Sequence, residues 1–393
     1  MTKKIQPALA ITLVLTFLAT VRTWFFFSFD FKVLSVLLTL LIVGTASGNL
    51  KAKNAVSLCV FCIIAILSQT RGNFNAYIGS LIMISPFLAF CFLNIQTRIK
   101  FLSLVNKTMA TIFAVSLVFW IIHLFGVPLP NFYMVYGENY SYNNYFFFLD
   151  FVGFAGLESF FPRFYSIFIE PSVVGMLCAL MIFLNGFNFK KWYNIVYLIS
   201  LFMTFSLSGI ILLAISLIPF LLYQNKGRRR WIIVGLLGIL FFAGYYAMER
   251  ASEESVIYQM IGSRLEWNED TGTITGYDRS GESVNNFIKQ RFWSSDKVLF
   301  GFGPDLPFDG VDFKVYLVKY GIVPIIIYVL FIFYCYRTRK SKMGLWLFFL
   351  FLLIVYRGYS VMYWPGMLML YLAGLDYLAY SNNRKLNAWN AEV

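Results

Sequence analysis

The sequence predicts an all-α polytopic membrane protein of about twelve transmembrane helices, forming one integral domain over residues 1–393. Three observations predict it. Hydrophobic residues make up 59% of the chain and aromatics 20%, against 13% charged, so there is more apolar surface than one soluble core can hide. Apolar runs recur along nearly the whole length, and in hydrocarbon the backbone polar groups must be satisfied within each segment, which selects helices. Basic residues gather in every second short connection between these runs, which puts them on one side of a membrane. The ten-residue alternation of a transmembrane β-barrel is not visible.

Taken in order, spans are expected at about 5–24, 31–48, 55–70, 76–95, 108–126, 171–188, 192–207, 209–224, 231–248, 315–336, 343–357 and 361–380. Those near 31–48, 192–207 and 343–357 are short enough to be tilted or re-entrant. The first carries a positive start but no small-residue cleavage site, and is read as a retained helix. With the N-terminus cytoplasmic, Lys3/Lys4, Lys51/Lys53, Arg98/Lys100/Lys107, Lys190/Lys191, Lys226/Arg228/Arg229/Arg230, Arg337/Arg339/Lys340/Lys342 and Arg384/Lys385 fall inside. That places 19 of 32 basic residues on one side and 17 of 19 acidic residues on the other, with both termini cytoplasmic. The net charge of +13 is therefore a topology signal and not a nucleic-acid footprint. Cys59, Cys62, Cys91, Cys178 and Cys335 all lie in or beside expected spans and read as buried small hydrophobes.

Chemistry concentrates in two long outer loops, residues 127–170 and 249–312. The first holds Tyr136-Gly137-Glu138-Asn139-Tyr140-Ser141-Tyr142-Asn143-Asn144-Tyr145. Aromatic faces beside amides suit a sugar's C–H faces and hydroxyl rim, which makes Tyr140 and Tyr142 candidate sugar contacts. An interfacial aromatic belt is the equal alternative. The loop ends in Arg163-Phe164-Tyr165-Ser166-Ile167-Phe168-Ile169-Glu170-Pro171-Ser172, where Pro171 opens a helix and Glu170 stands before it. Glu170 either caps that helix or shares a pocket with Arg163. In the second loop, with 12 acidic and six basic residues, Arg279 and Arg291 precede Gly301-Phe302-Gly303-Pro304-Asp305, followed by Asp309 and Asp312. Guanidinium groups grip a diphosphate through forked hydrogen bonds, although surface ion pairing is open to each of them. Asp305, Asp309 and Asp312 are candidate sugar contacts. They do not form a compact cation loop, and no metal is expected. Arg22, Arg71 and Arg357 add to the outer positive field or snorkel. The sole histidine, His123, reads as a satisfied helix residue before a catalytic one.

From Arg163 to Gly175, in Phe205-Ser206-Leu207-Ser208-Gly209, and in Arg279 followed by Gly301-Phe302-Gly303, the sequence resembles the O-antigen polymerases (Wzy type) and O-antigen ligases. The helix and loop layout agrees over most of the chain. Two departures stand out: the large outer loop lacks the His typical of ligases, and Gly209 stands where many relatives carry Arg. The first favours polymerase over ligase. The resemblance implies a C-type glycosyltransferase-like architecture in a bacterial inner membrane. Its implied reaction joins undecaprenyl-diphosphate-linked oligosaccharide repeats into O-antigen or capsular polysaccharide at the outer face. It assigns Arg163, Arg279 and Arg291 to the diphosphate and Glu170 to the base or acceptor-orienting role. Membrane lipid surrounds the chain, no cofactor or nucleic acid is implied, and a chain-length regulator protein stays open as a partner. A lipid-linked oligosaccharide flippase is the main alternative. Mid-span regions almost free of charge weigh against it.

Overall fold

The structure, a computed structural model, describes residues 6–46, 50, 55–70, 74–136, 140–152, 163–224, 231, 235, 238, 258, 262, 266–268, 273–274, 281–303, 306, 313–357 and 364–390. Helix dominates, with thirteen α-helices among the described residues. They are α1 Pro7–Thr20, α2 Phe31–Thr45, α3 Ala55–Gln69, α4 Phe74–Cys91, α5 Ile95–Leu124, α6 Pro171–Leu184, α7 Trp192–Met203 and α8 Leu207–Gln224. After these come α9 Gly281–Phe287, α10 Phe313–Tyr320, α11 Ile322–Arg337, α12 Lys342–Arg357 and α13 Pro365–Asn390. Two of them, α4 and α5, are long and apolar enough to cross a bilayer, and the bent pair α10–α11 makes a third if counted as one. The all-α expectation needs one addition. Strands β1 Phe132–Tyr136, β2 Tyr140–Asn144 and β3 Leu149–Phe151 form an antiparallel sheet between α5 and α6, and β4 Trp267–Asn268 pairs with β5 Thr273–Ile274.

Most expected spans coincide with a helix, and two differ instructively. The span expected at 108–126 starts earlier, because Asn94 caps the helix by accepting from the Thr97 amide at 2.8 Å, and α5 runs 30 residues, about 45 Å. The span expected at 315–336 is broken: α10 and α11 meet at 114°. Gly321 sits there at φ 81°, a left-handed conformation that favours glycine. The carbonyls freed at the end of α10 are met from the Gly301–Gly303 turn, with Phe302 N donating to Val318 O at 2.9 Å and Gly303 N to Lys319 O at 3.0 Å. The expected span 231–248 falls almost wholly outside the described residues.

The chain divides into two compact units, Met1–Val105 with Arg279–Val393, and Asn106–Asp278. In the first, α1 packs on α2 and α13, α2 on α4, and α3 on α4 and α11, while α12 and α4 pack on α13. Helix α2 buries Ser35, Leu38 and Ile42 and also exposes Leu37, Leu40, Leu41 and Val43. Apolar side chains on both faces are compatible with a helix in a membrane. All five cysteines are buried, in keeping with their reading as small hydrophobes.

One carboxylate organises the first unit. Asp376 of α13, 2% exposed, accepts from Arg98 Nε and from Arg339 Nε, each at 2.5 Å. The same arginines close two helix ends. Arg98 Nη1 donates to Cys91 O at 2.9 Å and Leu93 O at 2.5 Å after α4, and Arg339 Nη1 to Cys335 O at 3.3 Å at the end of α11. Removing Asp376 would leave two desolvated cations facing each other. Asp376→Ala is expected to lose about 3–5 kcal/mol of stability, read as a lower unfolding temperature in detergent, with Asp376→Glu close to the parent. An unchanged temperature for the alanine variant would show the pairing to be dispensable.

In the second unit, α6 is buried along every residue from Pro171 to Leu184, with α7 and α8 packed against it. An apolar helix buried all round is the central post of its unit. At the opposite end from Pro171, Asn106 and Asn185 exchange side-chain amide hydrogen bonds at 3.0 Å, Asn185 donates to Asn194 at 2.8 Å, and Tyr197 Oη donates to Asn106 O at 2.6 Å. Polar side chains in apolar surroundings are affordable only when paired in this way.

Candidate functional site

The sheet between α5 and α6 is built from its sequence alternation. Strand β2 buries Tyr142 and Asn144 and leaves Ser141 and Asn143 partly exposed, a period of two that gives the sheet an inner and an outer face. The inner face is fully engaged. Tyr142, 1% exposed, donates its hydroxyl to Ile169 O at 2.8 Å and packs its ring on Phe151 and Tyr165. Asn144 Oδ1 accepts from Phe146 N at 2.8 Å, and Leu149 N donates to Ser166 O at 2.8 Å. From α5, Ser116 donates to Phe147 O at 2.5 Å and pairs with Ser166 at 2.9 Å. The expected sugar contact Tyr142 is thus withdrawn into packing, because its place in the strand points it inward. Tyr140 opens β2 opposite Tyr136.

On the outer face the register aligns Tyr133 with Asn143 and Asn143 with Asp150. Beyond Asp150 stands His123, its Nε2 3.8 Å from Asp150 Oδ2 and its ring against Tyr145 and Phe148. Both side chains of this pair remain about a quarter exposed, at 25% and 26%. Burial pushes the Asp150 carboxyl above the ordinary carboxylate range, with His123 and the Phe151 amide pulling less strongly the other way. Burial also raises the Tyr145 phenol, and the charge of Asp150 adds to it. The Asp150 and Asn143 positions were missed by reading residue types alone. The signal was the strand alternation across Phe132–Tyr136 and Tyr140–Asn144, which fixes who shares a face.

The segment that follows the sheet carries Arg163 and Glu170. Arg163 Nε donates to Thr204 O at 2.8 Å and Nη2 to Phe205 O at 3.3 Å, while Phe164 N donates to Met203 O at 3.0 Å. These are the carbonyls beyond α7, where Phe205 turns the chain at φ 48°, and a cation is favoured at such an end. Arg163 therefore positions the junction between α7 and α8. Glu170 holds the N-cap position of α6 with Pro171 next, but its carboxylate accepts from the Ser172 hydroxyl at 2.9 Å and from no helix amide. No cation pairs with it among the described residues. Simple capping does not account for this side chain.

Gly209 has a packing reason. Its backbone lies against that of Gly175, and a Cβ at 209 would stand 2.8 Å from Gly175 Cα and 2.9 Å from Gly175 C. An arginine there would force α6 and α8 apart. Ser206 supports the same contact, pairing with Ser208 at 2.9 Å and accepting from Gly209 N at 3.4 Å.

In the first unit, Arg291 is exposed on the π-helical turn Ile288–Phe292 that continues α9. Arg22 lays its guanidinium 5.7 Å from the Phe31 ring centre. Arg279, Asp305, Asp309, Asp312 and Arg71 lie outside the described residues. Among the described residues no group of three His, Cys, Asp or Glu is placed to hold a metal ion. The chain matches no protein-family model, no curated protein and no solved structure.

Gly209→Ala is expected to lower the unfolding temperature in detergent, since both partners of the collision are backbone. Gly44→Ala, on a helix with nothing within 4 Å of the added carbon, should match or exceed the parent. Equal behaviour of the two variants would show that the α6–α8 contact yields freely.

Proposed function

We infer that the chain is a membrane glycosyltransferase that polymerises undecaprenyl-diphosphate-linked oligosaccharide repeats into O-antigen or capsular polysaccharide at the outer face of a bacterial inner membrane. On this reading the membrane region carries about twelve spans with both termini cytoplasmic. The observation that carries the reading is the packing of the segments that bear the family resemblance. Arg163 is bonded to the Thr204–Phe205 turn, and Gly175 touches Gly209, so the Arg163–Gly175 stretch and the Ser-rich junction form one assembly with Glu170 at its rim. Arg98 and Arg339, both on the cytoplasmic side by the charge rule, also meet at one carboxylate, which agrees with a shared side.

In the reaction, the acceptor sugar hydroxyl attacks the anomeric carbon of the donor glycan. The bond from that carbon to the diphosphate oxygen breaks, and the lipid diphosphate leaves with the electron pair. Glu170, at the N-cap of α6, takes the hydroxyl proton. Arg279 and Arg291 hold the diphosphate as negative charge develops on it. Arg163 acts through the junction it positions and contributes its charge from there.

A flippase for the same lipid-linked repeat is the second reading, favoured by the 114° break between α10 and α11, because discontinuous helices form binding sites in transporters. The surface-glycan ladder of cells lacking the native gene separates the two. The intact chain is expected to restore a polymer ladder, and Arg279→Ala, Arg291→Ala and Glu170→Gln at equal membrane abundance to leave single repeats on the surface. If repeats fail to reach the outer face without the protein, transport replaces polymerisation. Full-length ladders from all three variants would remove the assigned residues.

A further inference from the structure

The two faces of the β1–β2–β3 sheet differ in a way the fold alone does not require. Every polar side chain described on the inner face has a partner inside the protein: Tyr142 on Ile169 O, Asn144 on Phe146 N. On the outer face the Asn143 amide and the Tyr133 hydroxyl make no hydrogen bond among the described residues, and Tyr133 is 61% exposed. Tyr133, Asn143 and Asp150 stand directly opposite one another across three strands, and His123 closes the row beyond Asp150. Two strand spacings set its length at about 10 Å, the scale of one to two sugar rings.

The geometry points to a carbohydrate-binding row on this outer face, with Tyr133 stacking on a sugar ring and Asn143, Asp150 and His123 holding its hydroxyls. The chemistry matches the ligand group by group. A pyranose presents a C–H face that an exposed phenol ring can cover. Each hydroxyl donates one hydrogen bond and accepts others, which calls for a surface offering both senses. The amide of Asn143 supplies donor and acceptor, Asp150 accepts, and His123 donates from a ring nitrogen. The row is also held still. β2 is pinned from its inner face through Tyr142, and the His123 ring lies against Tyr145, which itself stacks on Phe148 at 4.6 Å. Preorganised contacts of this kind lose little freedom on binding. Burial holds the Asp150 carboxyl partly desolvated, where a hydrogen bond from a sugar hydroxyl is worth more than in water.

The site rests on the polymerase reading only in its natural ligand, the sugar end of a lipid-linked repeat, and sugar binding itself does not depend on that reading. The test uses the full chain in lipid nanodiscs and, as probe, the repeat-unit oligosaccharide released by mild acid from the cells lacking the native gene. Saturation-transfer NMR is expected to show transfer to the sugar ring protons. Tyr133→Ala and Asn143→Ala should each weaken binding by about five-fold or more, while Met134→Leu, on the inner face of the same strand, leaves it unchanged. No transfer to the oligosaccharide, or transfer that survives both alanine variants, overturns the site. Clear transfer from a chain that restores no ladder keeps the site and removes the polymerase reading instead.

Discussion

A helix that ends in apolar surroundings leaves carbonyl groups that water cannot reach, and this chain meets that constraint at one helix end after another. Arg98 covers Cys91 O and Leu93 O behind α4, Arg339 covers Cys335 O at the end of α11, and Arg163 covers the turn beyond α7. Where α10 breaks from α11, the backbone amides of Phe302 and Gly303 do the same work without a charge. Arginine suits the role because its planar fork donates in several directions and keeps its charge. The cost is a set of buried cations, and in the first unit Asp376 offsets two of them at once.

This use of arginine changes how a charged residue in such a sequence should be weighed. Arg163 looks like a ligand-binding residue because it stands at the edge of a polar loop. Its guanidinium bonds to the Thr204 and Phe205 carbonyls, and through them it fixes the position of the α7–α8 turn and of the Ser206–Gly209 contact against α6. Glu170 is the opposite case. Its place invites a capping role, yet among the described residues its carboxylate bonds only to the Ser172 hydroxyl.

Helices were legible in the sequence because apolar length is what makes them, and α2, α3, α6, α7 and α8 stand close to where the runs predicted. The early start of α5 was less visible, since its first turns carry Arg98, Lys100 and Lys107 and read as a loop until Asn94 is recognised as a cap. The break at Gly321 was hidden because the apolar run continues through it; the left-handed φ and the close approach of the Gly301 turn together explain why a glycine is needed there. The candidate site was legible as a region and misread in detail. The Tyr and Asn content of residues 136–145 announced a polar aromatic loop, whereas the inward turn of Tyr142 and the alignment of Tyr133, Asn143 and Asp150 follow from strand register. A shift of one residue exchanges the faces, and composition carries no register.

The first unit is assembled from the two ends of this sequence, and its central carboxylate lies in the last helix. Arg98 leaves the ribosome 278 residues ahead of Asp376. At about 5–20 residues per second that is a wait of tens of seconds. Through that interval the guanidinium must stay hydrated or face lipid headgroups, and α4 and α5 cannot settle against each other in final form. Completion of the unit therefore waits for α13, and a chain interrupted between residues 339 and 376 would carry both guanidinium groups with no carboxylate to offset them.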